Sequence, residues 1–400
     1  MKKSHRSFFA FLICVILLGT ACTSARESIP SPAVEQASAT SPIPATSPAP
    51  ASSTPSPLPS LTATPQLSPT LRKPPTPTPI PFLPADLAII SPQNASELRP
   101  VATLPEKGAS VVAYSPDNRR VAAGLFTTNQ VKVWDLSSGQ ELLSLGGHDD
   151  PRVISYLAFS PDGARLASGA QGWDAPNDSL ILWDAGTGSE LQRFSGFIGA
   201  ISPDWRVVAL TQREQDQRVV LTLSELTSGE KLHALEAAGD IYGITFSPDG
   251  QQVAAKMYHV IQDLFSFWSV EDGRLNRTLY DWLEFSYSPD GRFIAAVLNS
   301  GSGDEHGELN IFDAVTFKWM KTLAKDADSL WYTFPAFSPD GQILAASAGD
   351  HVTLWDTQTW KVLASLPASD PTGLAFSPDG RLLTSYTLKG TVQLWGVAGP

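Results

Sequence analysis

One loop of the sequence brings hard metal ligands close together. Between Gly301 and Glu308 stand Asp304, Glu305 and His306, whose carboxylate and imidazole groups could hold a calcium ion or another cation. Their spacing matches no EF-hand pattern, so a long, solvated loop between two strands is the better interpretation of these residues. The loop is a weak candidate for a metal site, and we otherwise expect none.

The sequence contains no recognisable catalytic arrangement. It has no Gly-x-Ser-x-Gly segment, in which a serine nucleophile would stand on a sharp turn. Its 6 histidines include no HExxH pattern and no pair four residues apart, and its 2 cysteines, Cys14 and Cys22, are too few for a cysteine metal site. We therefore expect a protein that is not an enzyme and that needs no cofactor.

The elements that would position any site are short strands that recur along the chain. Apolar segments run into a Ser-Pro-Asp sequence, with spacings that vary between 39 residues (338 to 377) and 50 residues (288 to 338). Pro-Asp-Gly is typical of the tight turn between two antiparallel strands. The serines of these turns are Ser115, Ser160, Ser202, Ser247, Ser288, Ser338 and Ser377. The sequence therefore predicts seven repeats of several short strands each.

The clearest copy of the repeat runs from His148 to Asp184. Gly147-His148 opens it, four apolar stretches follow, and Leu182-Trp183-Asp184 closes the third of them. This pattern resembles a WD40 repeat, which forms one blade of a β-propeller. The resemblance implies an all-β fold over residues 86–400, namely a seven-bladed β-propeller of four-stranded antiparallel blades.

The same resemblance assigns a role to the histidine. In WD40 proteins a His, a Ser or Thr, an Asp and a Trp form a hydrogen-bonded tetrad inside a blade. Here the residues at those positions would be His148, Ser168, Asp178 and Trp183, with Asp178 one residue later than usual. Buried polar sets are tolerated only when they are fully hydrogen-bonded. The resemblance therefore implies that His148 is structural and neither a catalyst nor a metal ligand.

The last repeat ends too early to supply its own outer strand, because only five residues follow Trp395. The segment from Glu97 to Leu104 is similar to the fourth strands of the other repeats, and its Pro100 is acceptable on an edge strand. In the WD40 propellers that this chain resembles, the two termini close the ring. We therefore expect this N-terminal strand to pair with the final strand and to cover its open edge.

The first 21 residues resemble a secretory signal. Three basic residues precede an apolar run from Phe8 to Leu18, which is too short to span a bilayer as a helix. The small residues before Cys22 are similar to the lipobox of bacterial lipoproteins, which implies that residues 1–21 are a lipoprotein-type signal peptide and that Cys22 carries the lipid. An ordinary secretory signal with a chance cysteine is the alternative.

Residues 22–85 have a different composition, rich in proline, serine and threonine. Such a segment cannot bury enough apolar surface to offset the entropy of ordering it, so it is expected to be a disordered tether. Together with the preceding signal, it predicts a bacterial, extracytoplasmic lipoprotein that is anchored to a membrane, either in the periplasm or on the cell surface.

Charge restricts the class of partner. The chain has 28 Lys and Arg, 40 Asp and Glu, and a formal net charge of -12. Residues 1–85 hold six of those basic residues and two of those acidic ones, which leaves 22 against 38, a net charge of -16, for residues 86–400. So acidic a domain argues against binding to nucleic acid and favours a basic protein or peptide partner.

The predicted partner-binding face consists of the loops that enter each first strand and those between second and third strands. Repeat alignment places acidic and aromatic residues there, and interface hot spots are enriched in Trp, Tyr and Arg. These residues are Asp149, Asp150, Asp174, Asp240, Asp281, Asp326, Asp328, Trp173, Tyr242, Trp282 and Trp331. Alternatively, Trp282 and Trp331 fill the top of the channel and the acids only keep the domain soluble.

These features predict a monomeric, membrane-anchored, extracytoplasmic WD40 propeller that acts as a non-catalytic scaffold for protein interaction. The first alternative is a sensor that binds a small ligand or sugar on its aromatic and acidic loop face. The second is a cofactor-dependent propeller enzyme, for which the sequence offers no positive signal.

Overall fold

The computed structural model describes residues 82–148, 153–171, 180–196, 199–213, 218–237, 239–259, 262–299, 307–324, 332–388 and 390–399. Every described residue belongs to one compact unit, Ile80–Pro400. The predicted signal peptide, Cys22 and residues 22–81 of the predicted tether lie outside the described residues.

The described part of the chain folds into seven antiparallel sheets, so the prediction of an all-β, seven-bladed propeller is confirmed. In blades one to six the four strands follow the chain order from the inside of the ring to the outside. One short 3-10 helix, Ala95–Glu97, precedes the first blade.

The strands of the first three blades are as follows. Blade one contains β3 (Ala109–Tyr114), β4 (Arg120–Leu125), β5 (Val131–Asp135) and β6 (Glu141–Leu145). Blade two contains β7 (Val153–Phe159), β8 (Arg165–Gln171), β9 (Leu180–Asp184) and β10 (Glu190–Phe194). Blade three contains β11 (Gly199–Ile201), β12 (Val207–Arg213), β13 (Val219–Glu225) and β14 (Lys231–Glu236).

The remaining strands form blades four to seven. Blade four contains β15 (Asp240–Phe246), β16 (Gln252–His259), β17 (Gln262–Ser269) and β18 (Leu275–Tyr280). Blade five contains β19 (Trp282–Tyr287), β20 (Phe293–Asn299), β21 (Gly307–Asp313) and β22 (Trp319–Ala324). Blade six contains β23 (Tyr332–Phe337), β24 (Ile343–Ala348), β25 (His351–Asp356) and β26 (Val362–Pro367). Blade seven contains β27 (Gly373–Phe376), β28 (Leu382–Tyr386), β29 (Thr391–Ala398) and the N-terminal strands β1 (Leu87–Ala88) and β2 (Arg99–Lys107).

The second strand of a blade is buried on both faces because a neighbouring blade covers each side. In β4, Val121, Ala122 and Ala123 are all fully buried, and Ala123 and Ala122 belong to different hydrophobic clusters on opposite faces of the sheet. Small side chains at these positions let adjacent sheets approach closely. The same preference for alanine recurs in β8, β16, β20 and β24, which explains why these strands lack an alternating polar pattern.

The N-terminal strand closes the ring, as the sequence predicted. Strand β2 pairs antiparallel with β29, and the register places Arg99 opposite Gly396 and Ala102 opposite Leu394. Leu98 and Leu104 at the two sides of this pairing are buried. The innermost strands of the last and first blades, β27 and β3, also contact each other. The sheet of blade seven is therefore completed by residues from both ends of the domain.

A second N-terminal segment, Phe82–Ala88, packs beside this closure; we call it the strap. Its Phe82 amide donates to Ser137 O of blade one over 3.2 Å, and Leu87 pairs with Ala398 of blade seven. A Cβ at Gly139 would lie 2.4 Å from the Phe82 ring, so this turn requires glycine. Phe82 and Leu83, which the sequence assigned to the tether, thus pack against the folded core.

The Ser-Pro-Asp turns share one hydrogen-bond pattern in all seven blades. The serine hydroxyl donates to the carboxylate of the aspartate two residues later over 2.5 to 2.7 Å. The amide five residues after the serine donates back to that hydroxyl over 2.9 Å. In blade three, where the turn glycine is replaced, Trp205 adopts a left-handed φ of 57° and is buried below Arg165.

Candidate functional site

The structure brings together three of the four residues of the predicted tetrad in blade two. His148 Nε2 lies 2.7 Å from Ser168 Oγ, and Trp183 Nε1 donates to the same oxygen over 2.8 Å. All three side chains are buried, and Asp178 lies outside the described residues. These contacts join the segment that enters β7 to the second and third strands of the blade. His148 therefore helps to hold the blade together.

Two other blades show what this tetrad contributes. In blade seven, Ser385 stands at the position of Ser168, eight residues after the turn serine, and accepts the indole N–H of Trp395 over 2.8 Å. In blade one the same position is Ala123, and Trp134 Nε1 is buried without a hydrogen-bond partner. The serine therefore satisfies a buried donor that the alanine cannot satisfy.

The two faces of the ring differ in chemistry. The turns between first and second strands and between third and fourth strands lie on one face, which we call the turn face. Its acids are engaged locally: the Ser160 hydroxyl and the Ala164 amide donate to Asp162, and the Thr187 amide and hydroxyl donate to Asp184. These hydrogen bonds hold the pKa of both carboxyls below the usual value. So regular a face has little room for a specific site.

The opposite face, which we call the loop face, consists of the loops that enter the first strands and those between second and third strands. Asp240 and Asp281 are exposed there, and Tyr242 is half-buried. The other predicted residues of this face, and the candidate metal loop, lie outside the described residues. They are Asp149, Asp150, Trp173, Asp174, Asp326, Asp328, Trp331, Asp304, Glu305 and His306.

Trp282, which the sequence placed among the residues of the partner-binding face, is not exposed. Its side chain is 3% exposed and packs between blades four and five, in contact with Phe267, Phe285 and Phe312. Aromatic residues on both blades enclose the ring because it begins β19, the strand that faces blade four. Trp282 therefore contributes to the core between two blades, whereas the alternative interpretation expected it to fill the top of the channel.

The first strands of several blades contain β-bulges, which the sequence did not predict. In blades one, two, four and five one extra residue stands near the start of the first strand, and in blade six Phe334 and Pro335 together oppose Ala346. A bulge re-aims side chains and is frequent beside functional sites. The extra residues are Ser110, Ser155, Tyr242 and Leu283.

The bulged residues divide by polarity around the ring. They are serines in blades one and two, whereas blades four, five and six present Tyr242, Leu283 and Phe334. Because two of these three residues are aromatic, we call the set the aromatic rim. Phe334 is 38% exposed and has a left-handed φ of 49°. A phenylalanine in that conformation is an uncommon and strained arrangement. One half of the loop face is therefore apolar at its inner edge.

Acids lie next to the aromatic rim across the end of blade four. Strand register places Asp240 opposite Tyr258 and Tyr258 opposite Asp263, and the Asp281 amide donates to Asp263 O over 3.1 Å. The backbone register thus places three aspartates in succession from the inner strand to the end of the outer strand; we call them the acid row. Burial raises the pKa of Asp263, and the nearby charge of Glu284 acts in the same direction.

One lysine links the acid row to the aromatic rim. Lys256 Nζ donates to Leu283 O over 2.5 Å and forms an ion pair with Glu284 over 3.0 Å. The first contact stabilises the carbonyl of a bulged residue, which has left the regular strand ladder. Lys256 also lowers the pKa of Asp263, although burial outweighs it. Lys256 carries one positive charge, which is fewer than the negative charges of Glu284 and the acid row together. This end of blade four therefore remains acidic.

Two features are absent from the part of the chain that the structure describes. No group of three or more His, Cys, Asp or Glu side chains in that part of the chain could hold a metal ion. No helix of the described residues is long and apolar enough to cross a membrane.

Comparison with known families and proteins identifies the repeats. Residues 139–184 and 360–396 match the family "WD domain, G-beta repeat". "Periodic tryptophan protein 2 homolog" of Schizosaccharomyces pombe is 22% identical over 291 residues, which cover 72% of this chain and 25% of that protein. The protein of the same name from Neurospora crassa is 26% identical over 269 residues, which cover 67% and 22%.

A third relative, "WD repeat-containing protein WDS homolog" of Arabidopsis thaliana, is 22% identical over 273 residues, which cover 65% of this chain and 49% of that protein. The chain thus spans about a quarter of the periodic tryptophan proteins and about half of this one. The two matched stretches are thus WD40 repeats, and they belong to a seven-bladed propeller, a fold suited to protein interaction. The family match also supports the prediction that the chain is not an enzyme.

The comparisons contradict the predicted localisation. The relatives come from fungi and a plant, not from bacteria, so the prediction of a bacterial, membrane-anchored, extracytoplasmic lipoprotein is wrong. It depended on a short apolar run and a few small residues before Cys22, and so brief a pattern arises easily by chance. The resemblance to bacterial lipoproteins is not supported either.

Proposed function

We propose that this chain is a scaffold that binds a basic, extended segment of a protein partner on the loop face at blades four and five. The observation that carries the proposal is the acid row, Asp240, Asp263 and Asp281, directly beside the aromatic rim. Carboxylates would attract lysine or arginine side chains of the partner, and the rim would accept apolar ones. Aromatic residues are enriched at interface hot spots, and charge complementary to that of the partner steers the partner to the site.

The local arrangement supports a preformed site. Strand pairing fixes the backbone spacing of Asp240 and Asp263, and the contact of Lys256 with Leu283 O holds the bulge that carries Leu283 of the rim. Binding groups on rigid strands lose little conformational entropy when the partner arrives. The site therefore needs no rearrangement of the blades.

The charge of the whole domain supports the same class of partner. Its net charge of -16 over residues 86–400 repels nucleic acid and would speed the approach of a basic protein segment. Exposed carboxylates act through the solvent, so that attraction would weaken as salt screens it.

An array of short synthetic peptides, ranging from acidic to basic, tests the proposal on the full chain. Basic peptides should bind, and their affinity should fall as ionic strength rises. Asp281→Asn should weaken binding about threefold to tenfold, because it removes one carboxylate from the acid row. Asparagine tolerates the left-handed φ of 64° at this position, so the backbone is preserved.

Glu230→Gln is the matched control, since it removes one exposed carboxylate from the turn face of blade three. It should leave peptide binding unchanged. Preferential binding of acidic peptides, or equal losses in the two variants, would show that the acid row is not the site.

A further inference from the structure

Trp319 is the first residue of β22, the outer strand of blade five, and it is both exposed and fixed. Its side chain is 61% exposed, yet its indole N–H donates to Asn310 Oδ1 over 3.1 Å. Asn310 is buried in β21, and the Thr322 hydroxyl donates to the same oxygen over 2.5 Å. A buried acceptor thus orients a tryptophan ring that remains open to solvent.

The corresponding positions of the other blades show that the fold does not need this ring. Phe312 of β21 pairs with Trp319, and the residues paired in the same way in other blades are polar or smaller. They are Glu141, Glu190, Lys231, Leu275, Val362 and Pro100. Among the described blades, only blade five places an aromatic residue there. A large exposed aromatic ring that is not needed for folding indicates an interaction surface.

Two further apolar residues extend the exposed surface. Met320 is an unpaired bulge residue of β22 and is 45% exposed, and Val315 in the preceding turn is 79% exposed. Phe317 holds this turn in place with a left-handed φ of 56°, because its buried ring packs against Phe267 at 4.9 Å. We call Val315, Trp319 and Met320 the edge patch.

The charges around the edge patch are opposite to those of the domain as a whole. Lys318 and Lys321 flank Trp319 and are exposed, and Arg277 of blade four stacks over the Phe317 ring at 5.0 Å. Asp313, which ends β21, accepts hydrogen bonds from the Thr316 amide and hydroxyl, and the charge of Lys318 acts on its carboxylate. A basic border around an apolar centre complements a segment that is acidic and apolar.

We propose that the outer edge of blade five docks an extended, acidic segment of a protein partner. The segment places a large apolar side chain against Trp319 and Met320, and its carboxylates approach Lys318 and Lys321. Strand β22 is the last strand of its sheet, so an extended segment can add main-chain hydrogen bonds along it. This surface is separate from the acid row and selects a partner of the opposite charge.

Selection of displayed random peptides on the immobilised full chain, with counter-selection against the Trp319→Ala chain, tests this proposal. Surviving peptides should be enriched in Asp and Glu next to Leu, Ile or Phe. Their affinity for the Trp319→Ala chain should be lower by about tenfold or more, as for a hot-spot residue. It should also fall with Lys321→Glu, which reverses one exposed charge and keeps the ring.

Leu275→Ala is the matched control, because Leu275 is 57% exposed at the equivalent position of blade four. This change should alter peptide affinity less than about twofold. Melting temperatures show whether each variant folds. If Trp319→Ala does not fold, the affinity measured with Lys321→Glu decides the outcome.

Three results overturn the proposal. The first is the survival of no peptide after counter-selection, and the second is a set of surviving peptides without acidic residues. The third is a concentration-dependent dimer of the full chain, seen by sedimentation, that Trp319→Ala dissociates, since the edge patch would then bind a second copy of this chain.

Discussion

Trp134 and Trp183 occupy the same position on the third strands of adjacent blades, but their indole N–H groups differ in pairing. Trp183 donates to Ser168 Oγ over 2.8 Å, whereas Trp134 Nε1 is buried without an acceptor. A buried donor without a partner loses its hydrogen bonds to water and gains none in exchange. Blade one therefore contains an unpaired buried donor, whereas in blade two the oxygen atom of Ser168 accepts the corresponding hydrogen bond.

Ala123→Ser should stabilise the protein by supplying that oxygen atom. A hydrogen bond from Trp134 to the new hydroxyl should raise the free energy of unfolding by about 1 kcal/mol. Denaturant unfolding followed by tryptophan fluorescence measures the change. Ala122→Ser is the control: this residue is equally buried but belongs to the cluster on the opposite face, so the variant should lose stability. Losses in both variants would contradict the prediction.

Removal of the strap should weaken the closure of the ring. A chain that begins at Ile89 lacks Phe82, Leu83 and Leu87, of which Leu87 is 7% exposed. Loss of this burial should lower the free energy of unfolding by about 2 to 4 kcal/mol relative to a chain that begins at Phe82. A chain that begins at Ala109 also lacks β2, and it should be far less stable. Equal denaturation midpoints for the first two chains would contradict a role for the strap.

The domain should lose stability in acid. Hydrogen bonds from Ser160 to Asp162 and from Thr187 to Asp184 lower the pKa of these carboxyls in the folded state, and the same holds at Asp117, Asp135, Asp313 and Asp356. A lowered pKa contributes stability that is present above the unfolded value of about 3.9 and is lost as pH falls through the folded value. Unfolding measured between about pH 7 and pH 2 should show this loss below about pH 5.

Two variants separate this effect from general acid damage. Asp162→Asn removes one of the carboxyls and should flatten the dependence of stability on pH. Asp263→Asn should steepen it, because burial raises the pKa of Asp263 and so gives its contribution the opposite sign. The same slope in both variants would refute the assignment.

The sequence predicted the fold because its strongest signal is repeated. The Ser-Pro-Asp turns gave the number of blades, and the short end after Trp395 gave the closure by the Glu97 to Leu104 segment. Each turn is specified locally by a serine and an aspartate two residues apart, so the pattern survives even in blade three, where Trp205 replaces glycine. A turn that is specified by residues so close together can be predicted from the sequence alone.

The site was harder to predict because exposure depends on neighbours that are distant in sequence. Trp282 stands at the start of a strand, where the alignment suggested a surface residue, but Phe267 and Phe312 enclose it. Trp319 is exposed because blade five has no strand outside β22. Phe317 occupies a turn position where four other blades have glycine, and only the structure shows that its ring is buried. The bulges that form the aromatic rim also depend on pairing registers.

The closure of blade seven has a consequence for how the protein is made. Thr103 and Gln393, whose side chains form a hydrogen bond across this closure, are 290 residues apart in the sequence. During synthesis β2 leaves the ribosome early and has no partner until β29 has been translated. Because contacts between residues so far apart form slowly, an unpaired strand edge is exposed for most of that time. Pro100 within β2 cannot donate a main-chain hydrogen bond, which makes the waiting strand a poorer template for aggregation with other nascent chains.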